Sequence, residues 1–176
     1  MEGNTLAQIL RGCKNGSSES FSKLVDAYAG RCYGYFYRLT GNRSVSDDLL
    51  SELFVRLVEK ISSYKDGNFE AWLFKIASNI WHDYLRTKQR EKAMLEAQSR
   101  YLSFEKPKPD CPDNWKIDKL QIELTKLDAD TKELIMLRFY SQASFKEIAQ
   151  MRSEPIGTTL SKLHRGLKRL RDLMGE

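Results

Sequence analysis

The amino-acid sequence predicts an all-α protein with two small helical domains, a four-helix N-terminal domain and a C-terminal helix-turn-helix domain, joined by a flexible linker. Apolar residues recur at three- and four-residue spacing in both halves of the chain. No useful stretch alternates apolar and polar residues as a strand does. Three of the four prolines fall at positions 107–112, in a segment that cannot form a regular helix. The expected domains are 1–92 and 117–176, with the linker at 93–116.

The first domain is predicted to contain four helices. The third has the clearest start, because Ser44 and Asp47 stand at the spacing of a capping box, and Ser46 offers an alternative cap. Asp47 and Asp48 also place negative charge in its first turn, where the helix dipole favours it. The predicted helices span residues 5–14, 21–39, 45–61 and 69–90.

The second domain is predicted to end in a helix-turn-helix. Phe145, Ile148 and Met151 give the first of its helices one apolar face. Pro155 disfavours a helical residue before it, so this helix is expected to end near Ser153. In the following helix, apolar side chains at helical spacing form a packing stripe. The stripe consists of Leu160, at its edge, and Leu163, Leu167, Leu170 and Met174.

The last helix carries positive charge on the side opposite this stripe. Five Lys or Arg and no acid occupy positions 158–171, and the whole chain has a formal net charge of +5. Charge alone is also typical of a solvated amphipathic helix. The tight turn between two helices favours duplex DNA, with phosphates neutralised by the cations and the helix entering a major groove. The side chains on this face are Thr158, Lys162, Arg165 and Arg169.

A second candidate surface combines the fourth helix of the first domain with the loop before it. Hydrogen-bond donors project from one side of the helix at offsets of four, three and four residues. The loop adds an aromatic and amide mixture suited to stacking on and bonding to an unpaired base, although aromatics in such positions commonly belong to the core. The helix residues are Lys75, Asn79, His82 and Arg86, and the loop residues are Tyr64, Asn68 and Phe69.

The third helix is acidic on its exposed side. One interpretation is that a protein surface of complementary charge docks there. The alternative is that the acids only complement the helix dipole and need no partner. The acids are Asp47, Asp48, Glu52 and Glu59.

Several classes of protein are disfavoured. Cys13, Cys32 and Cys111 are far apart in no metal-binding or disulfide pattern, so reduced thiols are expected. There are two histidines, no Gly-rich phosphate loop and no nucleophile in a recognisable setting, so neither an enzyme nor a cofactor is expected. No apolar run approaches the length of a membrane span, which predicts a cytoplasmic protein without membrane insertion.

Four segments together resemble the extracytoplasmic-function group of bacterial sigma factors. They are SVSDDLLSELFVRLVEKI, NFEAWLFKIASNIWHDYLR, LTKLDADTKELIMLRFYSQASFKEIAQ and GTTLSKLHRGLKRLRDLM. The resemblance implies a non-enzymatic subunit that binds core RNA polymerase and promoter DNA. The last helix would read the minus-thirty-five element as duplex, and the first domain would melt the minus-ten element and read its non-template strand. An anti-sigma factor is expected as a further partner.

The resemblance also implies roles for particular residues. It adds Ser161 and His164 to the candidate duplex-binding residues. It also implies that the third predicted helix binds core polymerase, through its acidic residues together with Ser51 and Val55. Leu49, Leu73 and Leu163 fall in these motifs but are expected in the core.

The chain departs from the family pattern at five positions. Ser51 replaces a usual Gln, and Lys162 a usual Arg. Arg152 and Ser153 replace an apolar residue and a Gly ahead of the turn, and Leu160 stands where a cation is common. Lys162 keeps its charge without the bidentate fork of arginine, which favours a phosphate contact.

The rival hypothesis is a stand-alone helix-turn-helix regulator with an N-terminal sensor or dimerisation domain. Such regulators usually bind paired half-sites as dimers. Binding to duplex DNA with and without core polymerase distinguishes the two.

Overall fold

The computed structural model describes residues 3–99 and 119–175, which form eight α-helices and one 3-10 turn without any strand. The all-α prediction is therefore confirmed for these ranges. The elements are α1 (Gly3–Lys14), α2 (Ser18–Thr40), α3 (Arg43–Lys60), the 3-10 turn (Ile61–Ser63), α4 (Phe69–Ser99), α5 (Lys119–Thr125), α6 (Ala129–Tyr140), α7 (Phe145–Met151) and α8 (Ile156–Met174). We refer to α1–α4 as the N-terminal half and to α5–α8 as the C-terminal half.

The start of α3 differs from the prediction. Asn42 caps the helix, because its side-chain oxygen accepts a hydrogen bond from the backbone N–H of Val45 at 3.0 Å. Ser46 is buried and donates instead to the carbonyl of Asn42 at 2.6 Å. Gly41, at φ 67°, ends α2 in the left-handed conformation, so the two helices are separated by this one tight turn.

The fourth helix is longer than the sequence suggested. It was expected to end at about residue 90, but α4 continues to Ser99. Residues 93–99, which were assigned to the linker, are therefore helical. The remainder of the predicted linker, residues 100–116, lies outside the described residues.

The helix-turn-helix is present in the C-terminal half. Ser144 and Glu147 form a reciprocal capping box at the start of α7, and Ser153 adopts a φ of 53° in the turn. Helix α8 then packs closely on α6, since a Cβ at Gly166 would lie 2.6 Å from Cγ2 of Thr131. This close approach fixes which side of α8 faces solvent.

The two halves pack against each other in this structure. The ring of Tyr140 in α6 lies edge-on to Tyr35 of α2, with 6.4 Å between their centroids. Arg31 of α2 donates to the backbone carbonyl of Tyr140 at 2.5 Å. One apolar core consequently runs from α2 and α4 into α6.

Among the described residues, no helix combines the length and apolar character that crossing a bilayer requires.

Candidate nucleic-acid and polymerase interfaces

The exposed face of α8 is rotated from the one that the helical wheel predicts. Thr159 is fully buried, whereas Leu160 is 41% exposed. The assignment of Leu160 to the packing stripe was therefore wrong, because a small β-branched residue faces the crowded side of the helix instead. The centre of the solvent face consequently lies along Ser161, Arg165 and Lys168.

Most of the predicted duplex-binding residues lie on the solvent side of α8. The exposed ones are Thr158, Ser161, His164, Arg165 and Arg169. Lys168 is also exposed, but the wheel missed it because the assumed apolar stripe was centred on the wrong residues. Its spacing of three residues from Arg165 was the available signal.

Lys162 is already engaged by acidic side chains. Its Nζ lies 2.7 Å from Glu154 and 3.3 Å from Asp130. The hydrogen bond with Glu154 raises the pKa of Lys162. Arg169 donates to the backbone carbonyl of Lys126 at 3.3 Å, and Asp128 and Asp130 line the same groove, so carboxylates lie near its charge as well.

Beneath α8, two of the departures from the family pattern, Arg152 and Lys162, belong to one polar cluster. The guanidinium of Arg152, whose side chain is 6% exposed, pairs with Asp130, with Glu133 at 2.9 Å and with Glu154 at 2.5 Å. Burial acts to raise the pKa of Asp130, but the hydrogen bonds and charges of Arg152 and Lys162 together lower it. This cluster anchors the turn to α6 where an apolar residue is usual.

The donors of α4 share one side of the helix, as predicted. We call Lys75, Asn79, His82 and Arg86 the donor stripe. Lys75, Asn79 and Arg86 are exposed, and Arg86 lies 3.3 Å from Asp83. His82 is half-buried, with its Nε2 3.1 Å from Oε2 of Glu133, and this hydrogen bond raises the pKa of His82.

The aromatic residues of the loop before α4 belong to the core. Tyr64 and Phe69 are buried, with their rings edge-on at 5.4 Å, and the Tyr64 hydroxyl donates to the carbonyl of Gly67 at 2.7 Å. Neither ring is available to stack on a base in this arrangement, which contradicts their assignment as stacking platforms. Asn68 is exposed and caps α4, since its Oδ1 accepts from the N–H of Ala71 at 3.1 Å.

Helix α3 presents an acidic face with an apolar centre. Val55 and Val58 are 59% and 54% exposed. Around them, Asp47, Asp48, Ser51 and Glu59 are exposed, while Glu52 is half-buried and pairs with Arg56 at 2.6 Å. Val58 was missed by the sequence reasoning, although an apolar residue three positions after Val55 on a charged helix was a usable signal.

The three leucines expected in the core are there. Leu49, Leu73 and Leu163 are each at most 5% exposed. These motif residues therefore pack in the core beneath the exposed faces.

Neither a metal centre nor a reactive thiol emerges in the described part of the chain. No group of three or more His, Cys, Asp and Glu in residues 3–99 and 119–175 is placed to hold a metal ion. Cys13 and Cys32 are free and buried, and burial raises the pKa of Cys32 to about 12. Cys111 lies outside the described residues.

Comparison with known proteins assigns both halves. Residues 24–91 match the family model of Sigma-70 region 2, and residues 124–172 match that of Sigma-70, region 4. The chain is 32% identical over 161 residues to the ECF RNA polymerase sigma factor SigE of Mycolicibacterium smegmatis, which covers 89% of this chain and 62% of that protein. It is 28% identical over 179 residues to the ECF RNA polymerase sigma factor SigW of Bacillus subtilis, covering 93% and 96% of the two chains.

A solved structure agrees with the fold. The sigma factor RpoE from Bartonella quintana, in complex with the anti-sigma factor NepR, superposes with a TM-score of 0.71 at 22% identity. The match covers 89% of this chain and 98% of that one.

An all-helical chain with region 2 followed by region 4 defines the sigma-70 class of transcription factors. Within that class, the chain belongs to the extracytoplasmic-function (ECF) group of RNA polymerase sigma factors. Sigma factors are non-enzymatic subunits of RNA polymerase that direct promoter-specific transcription initiation.

Proposed function

We propose that this chain recruits core RNA polymerase to promoters through two separate DNA contacts and one protein contact. The observation that carries the proposal is the exposed cationic face of α8, which directly follows the turn of a helix-turn-helix. The functional boundaries at 1–92 and 117–176 are part of this proposal.

Helix α8 reads the minus-thirty-five element as duplex. Its N-terminal turns, with Thr158 and Ser161, enter the major groove, and Arg165 offers a planar fork to guanine or phosphate. Lys168 and Arg169 neutralise phosphates. Lys162 contributes less, because Glu154 and Asp130 already offset its charge.

The donor stripe of α4 binds the melted minus-ten element. Lys75 and Arg86 supply charge for the backbone of the non-template strand, and Asn79 has both a donor and an acceptor for a base edge. His82 becomes available only when its contact with Glu133 is broken. Trp72 is half-buried, lines one groove with Lys75, and is a better candidate for stacking than the buried Tyr64 and Phe69.

The exposed face of α3 binds core polymerase. Two exposed valines surrounded by carboxylates match a protein interface with an apolar centre and a charged rim. Ser51, where the family usually has Gln, lies inside this face. A chain that binds core polymerase would act in the cytoplasm. The anti-sigma partner stays a prediction from the family resemblance.

Run-off transcription on a library of promoter fragments tests the proposal. Core polymerase with the chain is expected to yield discrete transcripts that neither component gives alone. A gel-shift titration with the chain alone is the matched control. Tight, sequence-specific duplex binding without polymerase, together with no transcripts, would support the stand-alone regulator instead.

A further inference from the structure

Lys162 lies between two acidic side chains that come from different elements. Asp130 belongs to the first turn of α6, and Glu154 belongs to the turn that joins α7 to α8. Nζ of Lys162 is 2.7 Å from Oε2 of Glu154 and 3.3 Å from Oδ2 of Asp130. We call Asp130 and Glu154 the acid pair. An ammonium group held by two carboxylates has little net charge to offer to an approaching phosphate.

Buried groups keep the acid pair in place. Arg152, whose side chain is 6% exposed, pairs with both acids and with the fully buried Glu133. The side chain of Glu154 is itself only 13% exposed. Burial acts to raise the pKa of Glu154, but the hydrogen bonds and charges of Lys162 and Arg152 together lower it. The acid pair is therefore ionised at neutral pH and is anchored from below by Arg152.

The acid pair adjoins the duplex-binding face of α8. Asp130 and Lys162 line one groove together with Arg165 and Arg169. A phosphate that approaches either arginine from this side also approaches a carboxylate. Lys168 differs, because it is exposed and no acidic partner for it is found in the described part of the chain. The two lysines of α8 therefore differ in how much charge they can give to DNA.

A withheld cation matters most for binding that ignores sequence. Neutralised phosphates supply nearly all the affinity of a protein for random duplex, and each one steepens the fall of log affinity with log salt by ~0.9. A genome offers a large excess of such sites, which compete with any productive partner for the free chain. A cation that stays with its own acids reduces this competition, while the rest of α8 remains available to bind.

We propose that Asp130 and Glu154 are positioning residues that withhold Lys162 from the DNA backbone and so restrain sequence-independent binding by α8. This role rests on the proposed reading of duplex DNA by α8. The acid pair keeps the free chain from being sequestered on random DNA before it meets core polymerase.

A comparison of the two lysines tests the withheld charge and leaves the acids in place. The full-length chain is titrated with a duplex of random sequence at several salt concentrations. Lys168→Met is expected to lower the slope of log affinity against log salt by up to ~0.9, and Lys162→Met by less than half of that amount. Equal losses for the two lysines would overturn the proposal.

Neutralising the acids is expected to free Lys162. Asp130→Asn with Glu154→Gln should raise the affinity for random duplex at least threefold and steepen its salt slope by up to ~0.9. In a Lys162→Met background, the same two changes should lose most of both effects. Asp26→Asn with Asp172→Asn is the matched control, since it removes two exposed acids that lie outside the groove. Circular dichroism checks that each variant is folded, and the comparison of the two lysines decides if the acid-pair variant is not.

Run-off transcription measures whether the restraint matters for function. Each folded chain is mixed with an excess of random duplex before core polymerase and promoter DNA are added. The acid-pair variant is expected to lose at least threefold more transcript to this competitor than the parent chain and the matched control lose. An equal loss in all three chains would overturn the protection from sequestration.

The outcomes separate this proposal from the proposed function. Parental affinity and slope in a folded acid-pair variant, or the same rise with and without Lys162, would overturn the role of the acid pair. No transcripts from the parent chain would instead overturn the proposed function, while the salt slopes would still test the acid pair. Unchanged slopes in every lysine and acid variant would overturn both the role of the acid pair and duplex binding by this face.

Discussion

The two proposed DNA-binding helices, α8 and α4, differ in how far the rest of the chain covers their binding faces. The outer face of α8 is open to solvent, with Ser161, Arg165 and Lys168 all exposed. The donor stripe of α4 is open at Asn79 but meets the C-terminal half at His82 and beside Lys75. Helix α8 can therefore bind DNA while the two halves pack together, and α4 offers its whole stripe only once they separate. Duplex recognition and strand capture are expected to respond differently to changes in this packing.

The largest expected effect is on the cluster that supports α8. Arg152→Ala would remove the guanidinium that Glu133 shares with Asp130 and Glu154, and would leave the buried carboxylate of Glu133 with His82 as its basic partner. We expect a loss of about 3–5 kcal/mol in the free energy of unfolding of the C-terminal half. Urea denaturation followed by circular dichroism measures it, with the exposed Lys168→Ala as control. A loss no larger than that of the control would contradict the role assigned to Arg152.

The next effect concerns the open face of α8. Replacing Arg165 and Arg169 with Ala removes two phosphate-binding charges, so promoter binding by the holoenzyme should weaken and its salt dependence should flatten. The slope of log affinity against log salt is expected to fall by up to ~1.8. Lys162→Ala should change it less, because Glu154 and Asp130 offset that charge. An unchanged slope in the double variant would remove this face from the DNA interface.

A selective effect is expected on α4. Asn79→Ala should reduce open-complex formation more than recruitment, since the proposed contact of the amide is with the melted strand alone. Permanganate reactivity of the minus-ten region measures melting, and a gel shift of the closed complex measures recruitment. Equal losses in the two assays would argue against strand binding by the donor stripe.

The smallest effect is a pH dependence of the packing between the two halves. The hydrogen bond with Glu133 raises the pKa of His82 where the two halves pack together, while burial and the charges of Arg152 and Arg86 oppose the rise. Protonated His82 therefore stabilises this packing, and this contribution is complete below the ordinary histidine pKa and lost as the pH rises through the raised value. Small-angle X-ray scattering between pH 6 and pH 8 should show expansion at the higher pH. His82→Gln should remove that change, and an expansion of equal size in this variant would assign it to another group.

The helices were predictable because their signals are local. Apolar residues at three- and four-residue spacing specify helices within a few residues of sequence. The start of α3 was misplaced because several polar residues were plausible caps, and only the turn geometry selects Asn42. The length of α4 was underestimated because an exposed helical end, with Met94 and Leu95 in solvent, carries no periodic apolar face.

The candidate surfaces were only partly predictable because burial depends on the neighbouring helix. The close approach of Gly166 to α6 determines that Thr159 faces inward and Leu160 outward. Periodicity alone cannot decide which of these two neighbouring residues is buried. Tyr64 and Phe69 pack against each other beneath the loop. The sequence alone could not show whether these rings are buried or exposed. The contacts that Glu133 makes with α2 and α4 join residues about 50 to 100 positions apart, so no local pattern indicates them.

The distance between the two halves tests the central claim most directly. Dyes on Lys23→Cys in α2 and Asp172→Cys in α8, with Cys111→Ser, allow energy transfer to be measured in the full chain. Both positions are exposed, and Cys13 and Cys32 are buried. High transfer in the free chain and its loss in the holoenzyme bound to promoter DNA are expected. The same transfer efficiency in both states would contradict a chain whose two halves separate to bind the two promoter elements at once.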